Sequence, residues 1–393
     1  VTEGTSNEHQ VQPPSGLGVA MVGHAFMGAV HSQAWRNVHR FFDLPLTPRM
    51  VALGGRDAQR VKEAAGRFGW SSVETDWRAL IERDDVDLVD ICTPGDTHAE
   101  IAIAALNAGK HVLCEKPLAN TVAEAERMTE AAERARANGV YSMVAFNYRR
   151  VPALALARKL VEEGRIGEVR HVRAVYLQDW LADEDAPMTW RLRKEQAGSG
   201  ALGDIGAHIV DATQFVTGDV LTGVAGFTHT FVPRRPGPGG TEEPVTVDDC
   251  AVFTGRFASG AVATFEATRY ALGRKNAMRI EINGSRGSLS FDFEAMNDLW
   301  FYDAEEPGAT AGFRRIVVTE ADHPYLKAWW PPGHLLGYEH TFTHEIADLL
   351  TAIGTKTAPQ PSFADGLRVQ RVLAAVERSA AEGTRWEQVD STT

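Results

Sequence analysis

"LGVAMVGHAFMGAVHSQAW", residues 17–35, decides how the first third of the chain is read. An apolar run ends at Gly23, and the residues beyond it have helical spacing. A short strand that turns over glycine into a helix opens a βαβ unit. The phosphate fingerprint G-x-G-x-x-G falls on Gly23, Ala25 and Gly28, with alanine at the middle position. The first glycine permits the tight turn, the middle residue must be small so that backbone can approach a pyrophosphate, and the third lets helix and strand pack closely. The helix start around Phe26 and Met27 would offer free N–H groups and a partial positive charge to phosphates. An ordinary strand-turn-helix fits the same residues, so the discrimination has to come from the next hundred or so.

Those residues repeat the unit. "RMVALGG" and "RDAQRVKEAAGRFG" make a second strand and helix, with Asp57 placed to cap the helix and Gly69 to end it. "VDLVDICTPGDTH" with "AEIAIAALNAGK", then "HVLCEKPLANTVAEAERMTEAAERARANG", continue the pattern, and Thr121 and Glu124 have capping-box spacing. "VYSMVAFNYRR" adds a further strand. Strands alternating with helices predict a doubly wound parallel sheet, with its ligand beyond the carboxyl ends of the strands. At the second strand's end, where an acid would select NAD through the ribose 2′-hydroxyl, the chain has Gly54, Gly55 and Arg56. Arg56 could meet a 2′-phosphate, which leans the reading to NADP. The third strand ends at Thr93 and Pro94, suited to turn across the nicotinamide half, and the fourth at Glu115 and Lys116.

Beyond a helix that ends near Gly164 the pattern changes. "RHVRAVYLQDW", "AVFTGRF", "AVATFEATRYAL", "AMRIEING" and "GSLSFDFEAMNDLWFYD" read as strands without intervening helices, which predicts a large, open, mainly antiparallel sheet in an α+β domain. "PRRPGPGGTEEP" (233–244) reads as a loop, and the C-terminal segments return to helix. The expected division is a mobile tail over 1–16, a dinucleotide-binding domain over 17–147 and a substrate and oligomerisation domain over 148–390.

Composition narrows the class. With 393 residues, of which 44% are hydrophobic and 23% charged, the chain suits a two-domain globular protein. A formal net charge of -12 argues against nucleic acid or an anionic membrane as partner. Cys92, Cys114 and Cys250 lie far apart without metal or disulfide spacing, and no stretch reads as a signal or a membrane span, so a cytoplasmic location is expected.

"GSGALGDIGAHIVD" (198–211) sets Asp204 and His208 one helical turn apart on one face. Taken alone, Asp204 could be a helix cap and His208 a core histidine. A metal shared by Asp204, His208 and Asp211 has no further ligand cluster behind it, and none is expected.

The ordered combination of residues 23–28, "TPGDTHAEIAIAALNAGKHVLCEKPLA" (93–119) and "GDIGAHIVD" (203–211) resembles the glucose-fructose oxidoreductase, inositol dehydrogenase and MocA family over nearly the whole chain. The resemblance implies an NAD(P)-dependent oxidoreductase whose catalytic group is Lys116, Asp204 and His208, with a cis Lys116-Pro117 bond. His208 would be the base for a hydroxyl proton, Lys116 would hold the reacting oxygen and Asp204 would orient substrate or lysine. His98 would brace the cofactor loop. "AFNYRR", "YLQDW", "MTWR" and "GSGALGDIG" resemble members that oxidise a ring hydroxyl of glycosides or anhydrosugars such as levoglucosan. That implies a carbohydrate site drawn from Asn147, Tyr148, Arg149, Gln178, Trp180, Trp190 and Arg191, whose amides and guanidinium groups would bond hydroxyls while indoles cover C–H faces. The open sheet implies a homodimer or homotetramer. Two other readings stay open: an NAD-dependent glycosidase using transient redox, and a non-catalytic dinucleotide or metabolite sensor.

Overall fold

A computed structural model describes residues 15–390. In chain order the first half comprises β1 (Ser15–Val22), α1 (Phe26–Phe41), β2 (Leu46–Gly54), α2 (Ala58–Phe68), β3 (Ser72–Glu74), α3 (Trp77–Ile81), β4 (Leu88–Ile91), α4 (His98–Asn107), β5 (His111–Glu115), α5 (Val122–Arg136) and β6 (Ser142–Ala145). Its strands form one parallel sheet in the order β3-β2-β1-β4-β5-β6. Ser15 and Gly16, expected in the tail, pair with Leu46 and Thr47, so the strand begins two residues early; the rest of that expected tail lies outside the described residues.

Both faces of this sheet are buried, which is why its strands read as apolar runs rather than alternations. Leu17, Val19 and Met21 point into one core and Ala20 and Val22 into the other. Local signals set the helix ends. Asp57 accepts the N–H groups of Gln59 and Arg60, Gly69 ends α2 with φ of 85°, and Thr121 and Glu124 form a reciprocal capping box on α5.

The second half comprises α6 (Pro152–Glu162), β7 (Val169–Leu177), α7 (Lys194–Ala197), a π-helical turn (Leu202–Gly206) running into α8 (Ala207–Thr217), β8 (Leu221–His229), β9 (Arg234–Pro236), β10 (Glu242–Pro244), β11 (Cys250–Phe257), β12 (Val262–Thr268), β13 (Ala277–Gly284), β14 (Gly287–Asp292), β15 (Asp298–Asp303), β16 (Arg314–Val317), α9 (Tyr338–Thr355), α10 (Phe363–Ala381) and β17 (Glu387–Gln388). Nine strands form an open sheet, β16-β15-β14-β13-β7-β12-β11-β8-β17, antiparallel throughout except for the β7–β12 pair.

Two expectations change. The segment 233–244 is a small hairpin, β9 with β10, rather than a loop. Pro236 and Pro244 sit at the ends of the two very short strands, where a missing N–H costs little. The second change is in packing: Phe342, Ile346, Leu349, Leu350 and Ile353 of α9 enter the same core as Leu17, Val19, Met21 and Trp35. The chain returns after the second sheet to cover the first one, so the packing boundary is not a single cut near residue 148.

Candidate active site

The residues that come directly after β1, β4, β5 and β6 line one side of a cavity of about 720 Å³, and residues of the second half close the other side. Ala25, Phe26, Met27, Thr93, Pro94, His98, Glu115, Lys116, Asn147 and Tyr148 lie on the first side. Gln178, Trp180, Trp190, Arg191, Asp204 and His208 lie on the second. Gly23 and Gly28 shape the wall from behind. A Cβ on Gly23 (φ of 105°) would sit 2.6 Å from the Cys92 carbonyl oxygen, and one on Gly28 would sit 2.3 Å from that of Gly23. Among the described residues no side chain caps α1 at Ala25, so its first-turn N–H groups remain available to an anion. A dinucleotide's pyrophosphate fits that cradle.

Arg56 lies outside the cavity lining, exposed beyond the end of β2. Of the acids near it, Asp57 caps α2 and Glu74 pairs with Arg83 at 3.2 Å, while Asp96 feels the Arg56 charge. His98 ties two loops together, its Nδ1 lying 3.0 Å from the Pro117 carbonyl oxygen and its Nε2 2.9 Å from that of Thr93. The Lys116-Pro117 peptide is cis.

Lys116 Nζ donates to the Asp204 carbonyl oxygen at 2.9 Å and lies 3.6 Å from its carboxylate. Arg269, fully buried, approaches the other carboxylate oxygen at 3.7 Å. Burial alone would raise the Asp204 pKa; the positive charges of Lys116, Arg269 and Arg191 overcome it and hold the group below the usual carboxylate range. His208 is buried against the Tyr148 ring, with centroids 4.5 Å apart. Burial, and then the charge on Lys116, push its pKa well down, so the imidazole is neutral at neutral pH. Its Nδ1 is buried without a hydrogen-bond partner among the described residues.

Asp204 does not cap the helix. Asp248 does, accepting from Gly200 N–H at 2.7 Å and Leu202 N–H at 2.8 Å. The approach is so close that a Cβ on Gly200 would meet the Asp248 carbonyl oxygen at 1.7 Å, which accounts for glycine there. Asp204 instead sits within the π-helical turn, whose widened backbone is a device often found where a side chain has to be re-aimed.

Arg149 is a correction. It lies outside the cavity lining and forms a two-point ion pair with Asp211, Nε to Oδ2 at 2.8 Å and Nη2 to Oδ1 at 2.5 Å. That pair also removes Asp211 from any shared ligand face with Asp204 and His208. Among the described residues, only His31, Asp90 and Cys92 have metal-ligand spacing. Both His31 nitrogens are already taken, Nδ1 by Asp90 at 2.9 Å and Nε2 by Glu115 at 3.0 Å.

Several lining residues escape a reading of the sequence: Tyr176, Arg269, Lys275, Asn276 and Tyr338. Tyr176 was within reach, because Val172, Ala174 and Tyr176 alternate inward along β7. Nothing local marks Arg269 or Asn276.

Comparison with known proteins gives the family. The family described as "Oxidoreductase family, NAD-binding Rossmann fold" matches residues 17–144, and "GFO/IDH/MocA C-terminal domain" matches 154–290. The chain is 41% identical over 381 residues to the levoglucosan dehydrogenase of Pseudarthrobacter phenanthrenivorans, covering 93% of this chain and 96% of the relative. A crystal structure of an oxidoreductase domain protein from Kribbella flavida superposes with a TM-score of 0.94 at 66% identity, covering 96% of this chain and all (100%) of that one. A levoglucosan dehydrogenase in complex with NADH and levoglucosan superposes at 0.92 with 41% identity, covering 96% of this chain and 100% of that chain.

Proposed function

The chain belongs to the GFO/IDH/MocA family of oxidoreductases, and on that premise we propose that it transfers hydride between a nicotinamide cofactor and a secondary ring hydroxyl of a sugar, anhydrosugar, glycoside or cyclitol. The observation that carries the reading is His208: a buried, neutral imidazole with an unpartnered nitrogen, in the cavity that Lys116 and Asp204 also line. Binding alone needs no neutral base beside a lysine, which favours an enzyme over a sensor. NAD(P), when bound, supplies the acceptor for the hydride leaving the carbinol carbon. His208 takes the hydroxyl proton as the C–O bond becomes a carbonyl, Lys116 holds the oxygen as negative charge develops, and Asp204 fixes Lys116. Asn147, Tyr148, Gln178, Trp180, Trp190 and Arg191 bind the ring; Arg149 supports the wall through Asp211 and touches no substrate.

The finer cofactor reading rests on Arg56. With Asp57 capping α2 and Glu74 paired with Arg83, the positive charge of Arg56 beyond the end of β2 supports acceptance of NADP. Arg56→Ala should then lower kcat/KM several-fold for NADP and little for NAD; equal losses would remove that role. Assembly through the nine-stranded sheet is supported by the exposed Phe227, Val262, Trp300 and Val317 on its strands, and light scattering would count the subunits. The cytoplasmic reading rests on three unpaired cysteines.

Reduced-nicotinamide absorbance tests the function, with NAD and NADP in turn and a panel of levoglucosan, glucose, methyl glucosides and myo-inositol. Turnover establishes the dehydrogenase. Release of free sugar without net reduced cofactor would replace it with the transient-redox glycosidase.

A further inference from the structure

A chain of side chains runs from the rim of the cavity to its catalytic end, and its hydrogen bonds can point only one way. It begins at Trp180, whose indole N–H donates to Gln178 Oε1 at 2.9 Å. An indole nitrogen is a donor and never an acceptor, so the Gln178 amide cannot turn its NH₂ toward it. The NH₂ therefore faces Asn276, donating to Oδ1 at 2.7 Å. That fixes Asn276 in turn, and its Oδ1 receives the Tyr176 hydroxyl at 2.7 Å. Tyr176 has spent its only proton on Asn276, so in the 2.6 Å contact between the two tyrosine hydroxyls the donor is Tyr148.

We infer that Trp180, acting through Gln178, Asn276 and Tyr176, commits the Tyr148 proton inward, so that Tyr148 offers the substrate lone pairs only and selects for a hydroxyl donor next to the reacting carbon. Tyr148 lines the cavity, and its ring lies 4.5 Å from that of His208, which sets the hydroxyl it reads close to the centre of reaction. Tyr176 and Asn276 are positioning residues in this scheme. Trp180 gains a role beyond covering a sugar face. A substrate that presents an acceptor at that point, a carbonyl, a fluorine or an ether oxygen, meets lone pairs facing lone pairs, and inverting the chain to accommodate it would set the Trp180 indole N–H against an amide NH₂. The inference rests on the proposed oxidation of a ring hydroxyl.

Two measurements test it. Neutron diffraction from deuterated holoenzyme crystals should place the Tyr148 hydroxyl deuteron toward Tyr176 and that of Tyr176 toward Asn276; a Tyr176 deuteron directed at Tyr148 overturns the inference. The second uses the panel sugar that is turned over fastest, with its deoxy and deoxyfluoro analogues at each hydroxyl flanking the oxidised carbon. At one position both analogues should lose kcat/KM by roughly tenfold to a hundredfold relative to the parent. Fluorine also slows hydride departure by induction, so the informative quantity is the change in this ratio between proteins. Tyr148→Phe should collapse it, and Trp180→Phe, which frees Gln178 to rotate, should narrow it for the fluoro analogue. Ratios unchanged in both variants overturn the inference while leaving the dehydrogenase standing. If no sugar in the panel reduces either cofactor, the proposed function falls, and the neutron map still reports which way the chain points.

Discussion

Two buried histidines lie on opposite sides of the cavity wall, one driven to the charged form and the other to the neutral form. His31, on α1 behind the wall, and His208, on α8 in front of it, are both removed from water, and burial lowers the pKa of each. For His31 the Asp90 carboxylate outweighs that penalty, so its pKa ends well above the usual value; with Glu115 on the second nitrogen it is an imidazolium held between two carboxylates. For His208 the near charge is Lys116, which pushes in the same direction as burial. Desolvation alone therefore does not say what a buried histidine is; the sign of what faces it does. Behind the wall both His31 nitrogens are partnered, and Asp90 also accepts the Trp35 indole N–H at 2.7 Å. In front, His208 Nδ1 is buried without a hydrogen-bond partner among the described residues.

Removing the partnered histidine should cost most. His31→Gln leaves Asp90 and Glu115 buried without their cation, and unfolding free energy should drop by about 3–5 kcal/mol in urea titrations. Because the folded pKa of His31 is raised, its contribution is complete below pH 6.5 and is lost as pH rises through the folded value, so the gap between wild type and variant should narrow upward. Equal gaps at all pH values would show that His31 is not charged.

Glu345, on α9, faces the same cluster with neither carboxyl oxygen hydrogen-bonded among the described residues, and burial pushes its pKa up to about 8. A carboxyl protonated in the fold and ionised when unfolded makes stability fall with rising pH between 4.5 and about 8. Glu345→Gln should therefore gain little at pH 5 and on the order of a few kcal/mol at pH 8. A variant that is uniformly less stable would refute a neutral Glu345.

On the open side, His208→Ala or Lys116→Ala should reduce turnover on the order of a hundredfold, about 2.7 kcal/mol of barrier, with melting temperature nearly unchanged. Full activity in both would end their assignment. The smallest effect is a displacement: with His208 depressed, the acidic limb of kcat/KM for oxidation should fall below pH 6.5. A limb at or above that value would mean that another group is the base.

The same contrast explains what could be read from the sequence. The parallel sheet was legible because both its faces are buried, so Leu17–Val22 and its counterparts appear as apolar runs between helices. Asp57, Gly69 and the Thr121–Glu124 box were legible because caps act within four residues. Lys116, Asp204 and His208 became candidates through ordered motifs. Pairings across long stretches of chain left no local mark: His31 with Asp90, Gly200 with Asp248, Arg149 with Asp211. Arg149 looked like a sugar ligand because a guanidinium beside Tyr148 suits one, and only the fold shows that its two-point partner is already present. The hairpin at 234–244 was hidden by its Pro- and Gly-rich composition.

The return of α9 to the first sheet has a consequence for how the protein is made. When β6 leaves the ribosome, one face of the sheet still lacks the helix carrying Phe342, Ile346, Leu349 and Leu350, and every strand of the second sheet except β17 must be translated before that helix arrives. At about 5–20 residues per second the nascent domain waits on the order of ten to forty seconds with part of its core open to water. Stop codons placed after β16 but before α9 should yield chains that contain every strand of both large sheets except β17 and still require chaperones to stay in solution.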